Sequence, residues 1–302
     1  MVYWIFVLLI LLLMLVSHMS TLNKEFFDNK ETDDVTIAYE DSDEIYDTTY
    51  ASIYDTLFST PERISFEKTV IEEHALSGFP VTETKILDIC CGTSPHSDWL
   101  CPTTVDVVGI DTSEAMLKKA RRRCPRARFY RGDVTRNEVF PPKSFSHAMM
   151  MYFSIYQFRN PKLVLDNIYT WLKPGGVLVI HLVDPNKFDP ILDAASPFMM
   201  FSLQKYSKER IIDSEVAFDS FVYRSRFVKD KASEDGTFEE VIEYKDPAKN
   251  NGVKYREHRH RLWMPSVSTM LDILQSSGFT RHEMVDMTPA GFEYQYIIVC
   301  TK

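Results

Sequence analysis

Glycine is scarce in this 302-residue chain, at ten residues, and cysteine scarcer, at five. Five cysteines, an odd number, are too few for a disulfide scaffold of this length. Positive charge is also in deficit: 34 lysines and arginines face 43 acids, for a net charge of −9. That balance speaks against a nucleic-acid binder, although local patches matter more than totals. Internal repeats and low-complexity tracts are missing. Aromatic residues are plentiful, and at 13% of the chain they exclude disorder as the main state. With 45% hydrophobic and 25% charged residues, the composition is that of a globular protein of one large domain or two small ones.

Charge is absent before Lys24. Residues 2–16 form an uninterrupted apolar run that contains Tyr3 and Trp4. The run is short of the roughly 20 residues of a membrane span. It also lacks the basic front end and small-residue cleavage site of a signal peptide. The expectation is an uncleaved transmembrane or signal-anchor helix over residues 1–17, ahead of a cleaved signal or a buried helix. Lys24 is the only nearby cation, so flanking charge does not orient it. Residues 24–47 hold ten acids and two lysines without apolar periodicity, which predicts an acidic, disordered linker over 18–47. This stretch carries −8 of the net charge, which leaves −1 for residues 48–302. The acidity therefore says almost nothing about a substrate.

From Pro61 onward, helical and strand signals alternate. Pro61 opens a helix with Ile64, Val70 and Ile71 on its apolar side. Short apolar runs at residues 85–90, 105–111, 127–130, 145–151 and 177–182 read as strands. Between them, Ser113 is placed to cap a helix that carries Met116, Leu117 and Ala120, and a second helix runs from Pro161 through Trp171. Residues 173–176, Lys-Pro-Gly-Gly, stop that helix. Such alternation predicts a parallel α/β sheet that binds ligands at the carboxyl ends of its strands. Residues 184–264 break the pattern. Three long strands are expected at 216–228, 238–244 and 253–264, with turns at Asp235-Gly236 and Asn251-Gly252, after a helical piece over 190–208. This block reads as an antiparallel cap inserted into the sheet domain. A helix over 266–277, ended by Gly278, and strands at 279–286 and 294–300 complete the chain.

The sharpest motif is the loop after the first strand, Asp88-Ile89-Cys90-Cys91-Gly92-Thr93-Ser94. Asp111 ends the second strand, where a carboxylate can accept bonds from ribose hydroxyls. Asp133 follows the third strand, and Trp171-Leu172-Lys173-Pro174-Gly175-Gly176 precedes the fifth. This ordered set resembles the class I S-adenosylmethionine-dependent methyltransferases, small-molecule type, over roughly residues 45–302. Their loop reads acidic-x-Gly-x-Gly-x-Gly; Asp88 and Gly92 match, whereas Cys90 and Ser94 stand where outer glycines are usual. A dinucleotide-binding loop needs all three glycines to cradle pyrophosphate, so an NAD-linked Rossmann oxidoreductase is the weaker alternative. A non-catalytic, membrane-tethered scaffold is the other. The resemblance implies a seven-stranded, mostly parallel Rossmann-like sheet and S-adenosyl-L-methionine as cofactor. It implies direct methyl transfer to a small-molecule amine or hydroxyl. Donor supply then points to a membrane-anchored chain with its domain in the cytosol.

The same resemblance places donor contacts at Asp88, Cys90, Gly92, Asp111, Thr112, Met116, Asp133, Val134, Met151 and Tyr54. It places acceptor contacts at Tyr50, Tyr152, Tyr156 and Gln157. Tyr50 and Tyr54 are four apart on a helix and so face one way, suited to cation–π attraction to a sulfonium. In residues 254–261, period two puts Lys254, Arg256, His258 and His260 on one face. His258 or His260 is a candidate base, and so is His181, with Asp184 as its partner by position; a solvated sheet face is the competing reading. His-x-His suits a metal, but no third ligand stands at a supporting spacing, so none is expected. Eight basic residues between Lys118 and Arg131 form a solvated helix face or a surface for anionic lipid. Nucleic acid is not an expected partner, since no aromatics interleave them. Nothing in the spacing pairs the cysteines, which fits a reducing compartment.

Overall fold

The computed structural model describes residues 36–39, 42–192, 204, 210–246 and 252–302. The expected N-terminal helix over residues 1–17 and most of the acidic linker lie outside them. So does nearly all of the helical piece expected over 190–208. Among the described residues no helix is long and apolar enough to cross a membrane. No described helix supports the membrane anchorage expected from the apolar run, and the cytosolic placement built on it loses that support.

In chain order the elements begin with β1 (Thr36–Tyr39), α1 (Ser42–Ile45), α2 (Thr48–Phe58) and α3 (Pro61–Val70), which continues as a π turn over Ile71–Ala75. Then come β2 (Lys85–Ile89), α4 (Ser97–Leu100), β3 (Asp106–Asp111), α5 (Glu114–Arg123), β4 (Arg128–Arg131), β5 (Phe145–Met150), α6 (Pro161–Trp171) and β6 (Leu172–Val183). Next are β7 (Asp213–Ala217), β8 (Phe221–Lys229), β9 (Asp235–Asp246) and β10 (Gly252–Trp263). Last are α7 (Val267–Ser276), β11 (Thr280–Asp286) and β12 (Gln295–Thr301). The chain separates into two compact units, residues 41–188, 229–236 and 261–302 forming the larger.

The larger unit is built on a seven-stranded sheet in the order β11-β12-β6-β5-β2-β3-β4. The pairs β2–β3, β2–β5, β3–β4 and β5–β6 are parallel, whereas β12 runs antiparallel to both β6 and β11. The sheet is thus mixed. Its central strands are covered on both faces, so β5 is buried at every position and β2 at all but its first. Where Gly109 of β3 pairs with Phe129 of β4, neighbouring side chains fill the space that a Cβ would need. A Cβ on Gly109 would stand 2.5 Å from the Phe129 ring and 2.9 Å from the Cys91 sulfur. The helix caps follow the sequence: Ser113 Oγ accepts from the Met116 N–H, and Ser266 Oγ from that of Thr269.

The smaller unit contains a five-stranded sheet in the order β1-β10-β9-β8-β7. Two expectations shift here. The strand foreseen over 216–228 is two antiparallel strands, β7 and β8, that reverse at Phe218–Phe221. Asp235-Gly236 opens β9 and is not the turn; the reversal precedes it, closed by the Asp230 N–H to the Asp235 carbonyl.

One covalent tie was invisible in the spacing. Cys101 and Cys124 form a disulfide across the C-terminal ends of α4 and α5, which corrects the expectation of unpaired cysteines and removes its support for a reducing compartment. Three of the eight residues of the basic stretch meet carboxylates. Arg121 meets Glu114, Arg123 meets Asp55 and Asp98, and Arg128 meets Asp106, while Arg126 and Arg131 donate to backbone carbonyls.

Candidate active site

β2 ends at Ile89, and the loop that follows takes an unusual path. Cys90, Gly92 and Ser94 all have positive φ, at 51°, 54° and 52°. The alternate positions of the glycine-type loop thus keep the left-handed backbone that glycine would adopt, although two of them carry side chains. Left-handed geometry costs an L-residue roughly 1–2 kcal/mol, so the loop is held by its neighbours. Asp111, at the end of β3, accepts the Gly92 N–H on one carboxylate oxygen (2.8 Å) and the Ser113 N–H on the other (2.9 Å). Ser94 Oγ donates to Asp88 Oδ2 at 2.8 Å. Asp88 is buried, and burial pushes its carboxyl up to about 6, against the pull of His96 and of the Ser94 bond.

Helix α2 is clasped to this loop. Asp55 accepts from Thr93 Oγ1 and from Arg123 Nη2, and Arg123 Nη1 donates to the Thr93 carbonyl. The clasp sets the aromatic face of α2: the Tyr50 and Tyr54 rings stand 5.9 Å apart, and Tyr46 lies 5.6 Å and 6.3 Å from them. The shared face expected from their spacing is present, and Tyr46 extends it.

A second feature lies next to the loop in the same unit. Arg63 and Glu67, one turn apart on α3, are both buried. Glu67 Oε2 accepts from His96 Nε2 at 3.2 Å, and Trp99 Nε1 donates to His96 Nδ1, which sets that ring's tautomer. The Arg63 guanidinium stacks 3.9 Å over the Tyr152 ring. Burial opposes ionisation of Glu67, yet Arg63 and His96 hold its pKa below the ordinary carboxylate value. Arg63 Nε and Nη1, Glu67 Oε1 and both ring nitrogens of His181 are buried without a hydrogen-bond partner. Orphaned buried polar atoms in one place point to a ligand or water that completes them. Tyr152 and Phe153, just past β5, are both left-handed, at φ 43° and 52°. Strain of this kind persists at functional sites.

Residues 86–176 match the model of a methyltransferase domain family. The chain is 28% identical over 175 residues to a demethylmenaquinone methyltransferase of Renibacterium salmoninarum, covering 58% of this chain and 69% of that one. It is 26% identical over 141 residues to a dTDP-3-amino-3,4,6-trideoxy-alpha-D-glucopyranose N,N-dimethyltransferase of Streptomyces venezuelae, covering 45% and 58%. An amino pentose methyltransferase of Micromonospora echinaspora, solved with S-adenosylmethionine bound, shares the fold at a TM-score of 0.58 and 18% identity, over 84% of this chain and 96% of that one. The chain belongs to the class I S-adenosylmethionine-dependent methyltransferases.

The remaining candidates of this methyltransferase separate into several groups. Met116, Val134 and Met151 are buried, Asp133 accepts the Thr135 N–H, and the Thr112 carbonyl takes Arg131. Gln157 reaches the Tyr46 hydroxyl at 3.3 Å. Tyr156 is a correction: its ring is fully buried, and its hydroxyl accepts the Val183 N–H and donates to the Val183 carbonyl, so it braces β6 and does not line an acceptor pocket. His181 is buried, and burial drives its pKa down to about 4, against the pull of Glu67; Gln295 lies close enough to favour the charged ring without normal hydrogen-bond geometry. Its electrostatic neighbours are Glu67 and Arg63, not the expected Asp184, because residues three apart along a strand face opposite ways.

His258 and His260 belong to the smaller unit. Arg256 and His258 are buried, not a solvated face, and Lys254 is exposed. His258 Nδ1 meets Glu240 Oε2 at 3.1 Å while Arg256 Nε donates to its Nε2 at 2.6 Å. With both nitrogens engaged, His258 has no lone pair for a substrate, which corrects its candidacy as a base. Burial lowers its pKa. His260 Nε2 reaches the same Glu240 oxygen at 2.7 Å. The residues that sequence reasoning missed are Arg63, Glu67, His96 and Glu240. For the first two a signal existed, an Arg–Glu pair at helical i, i+4 spacing; Glu240 had none, since it comes from another strand.

Proposed function

We propose that this methyltransferase moves the methyl group of S-adenosyl-L-methionine to a small-molecule amine or hydroxyl, within a domain over residues 48–302 that holds residues 184–264 as an insertion. The observation that carries the reading is the loop over residues 90–94, left-handed at alternate positions and pinned by Asp88 and Asp111 beside the partnerless atoms Arg63 Nε and Nη1, Glu67 Oε1 and the His181 nitrogens. When bound, the cofactor supplies an activated methyl on a sulfonium cation. The donor set fits such a group. Arg63 offers two N–H groups to its carboxylate, and Asp88 and Glu67 offer negative charge to its ammonium. Asp111 is placed for the ribose diol and Asp133, next to buried Val134, for the adenine. The Tyr50 and Tyr54 rings of α2, 5.9 Å apart, would offer a sulfonium cation–π attraction.

The chain's own contribution is then alignment and exclusion of water, not bond-making. His181, neutral at pH 7 because burial lowers its pKa, can receive a proton where the acceptor starts protonated. The curated relatives named above act on a demethylated menaquinone and on an amino sugar, by their names, which supports an acceptor of small-molecule size.

Calorimetry of the purified chain against S-adenosylmethionine, its demethylated product and NAD tests the reading. Binding of the first two and not the third is expected; binding of NAD alone would overturn it. Incubation with labelled donor and a metabolite extract, followed by identification of the labelled compound, names the acceptor.

A further inference from the structure

We propose that Glu240, His258 and His260 form a binding site for a divalent transition metal of the zinc type. His258 and His260 are two apart on β10 and so project from the same face. Glu240 stands on β9, the neighbouring strand of the smaller sheet. One ligand atom from each residue lies within 4.8 Å of the other two. The side chains of Glu240 and His258 are fully buried, and that of His260 is 11% exposed, which leaves an entry on one side. Two imidazoles and one carboxylate are the ligand set of open zinc sites, where water fills the fourth position of a tetrahedron.

The hydrogen bonds show what now occupies the position between the ligands. One oxygen, Glu240 Oε2, takes both the Nδ1 proton of His258 and the Nε2 proton of His260. Metal entry replaces these two protons, and each imidazole remains neutral by carrying its proton on the other ring nitrogen. The charge balance is favourable to a dication, because the carboxylate supplies one negative charge to it and the imidazoles none. Tyr223 donates its hydroxyl to Glu240 Oε1 at 2.6 Å, the kind of outer bond that orients a ligating carboxylate. Arg256 works in the opposite sense. Its Nε–H on His258 Nε2 holds the Nδ1–H tautomer and adds a positive charge. Arg256 must give up this bond when Nδ1 takes a metal, so it lowers affinity and gates loading.

The test uses the full chain, free of any affinity tag and stripped with a chelator, then titrated with Zn2+ and separately with Co2+. The expected result is one tightly held equivalent, visible d–d bands of four-coordinate Co2+, and a rise in thermal stability with Zn2+. His260→Gln and Glu240→Gln are expected to weaken binding by at least tenfold, and Arg256→Met to strengthen it. Circular dichroism of each variant checks its fold; the titration of the unaltered chain stands even where a variant fails. Absence of both the Co2+ bands and a retained equivalent in the folded parent overturns the site. So does unchanged binding in a folded His260→Gln chain, or weaker binding in a folded Arg256→Met chain.

Discussion

Two buried polar clusters in this methyltransferase are built on opposite principles. Around the donor loop, Arg63, Glu67 and His181 bury charge or imidazole and leave polar atoms without partners, and the backbone is left-handed at Cys90, Gly92, Ser94, Tyr152 and Phe153. In the smaller sheet, Glu240 receives bonds from Tyr223, His258 and His260, and Arg256 completes His258. The first arrangement costs stability through an incomplete set of contacts, which the proposed donor would complete. The second is complete with protons alone, and burial of the Glu240 carboxylate, which opposes ionisation, is overcome by its hydrogen bonds so that its pKa falls below the ordinary range. The lesson is that buried charge can be complete in itself, and that unpaired atoms are what single out the first cluster.

The contrast can be broken most sharply at Glu240. In the metal-free protein, Glu240→Leu removes the acceptor that Tyr223, His258 and His260 share. A loss of about 4 kcal/mol is expected from one broken buried network, read by urea unfolding, with or without S-adenosylmethionine. At Arg63 the cost is expected in binding instead. Arg63→Met removes two N–H groups from a charged ligand, worth about 2 kcal/mol, so donor affinity should fall roughly 30-fold in calorimetry. If both variants lost stability equally and donor affinity did not move, the distinction would fail.

Asp88 gives a pH test with a definite sign. Its folded pKa of about 6 lies above the ordinary 3.8, because burial disfavours the carboxylate. The unliganded protein therefore loses stability as pH rises from about 4 to 6, where only the unfolded chain has released the proton, and loses no more above that. A donor ammonium favours the ionised form, so affinity should rise about tenfold between pH 5 and 7. That rise should vanish in Asp88→Asn. The smallest effect is expected at Cys90, where φ is 51°. Cys90→Gly relieves left-handed strain of about 1 kcal/mol, partly offset by the greater freedom of glycine in the unfolded chain. A thermal melt should show a small gain or no change; a marked loss would mean that the Cys90 side chain packs favourably enough to outweigh its backbone cost.

Much of the sheet was legible in the one-dimensional pattern. The apolar runs at 85–90 and 145–151 became β2 and β5 with ends shifted by a residue, because strands buried on both faces need continuous hydrophobic sequence. Ser113 capped its helix as expected because capping is a contact between residues three apart. Asp88, Gly92 and Asp111 were recognisable because loop and strand end fall at a fixed order along the chain. The boundaries of the smaller sheet were less legible, since an antiparallel ribbon depends on which strand it pairs with. Asp235-Gly236 reads as a turn in isolation and opens a strand in the fold.

Local chemistry and order along the chain are therefore what sequence alone determined: the strand–helix alternation, the donor loop, and the family they signal. Tertiary structure decided everything that depends on residues distant in sequence. It brought Glu67 against His96 and left Arg63 Nε and Nη1 and Glu67 Oε1 unpaired. It joined Cys101 to Cys124, enclosed Tyr156 against Val183, and set Glu240 between His258 and His260. The physical reason is that a side chain's charge state and partners follow from burial and from neighbours across elements, which spacing along one strand or helix does not record.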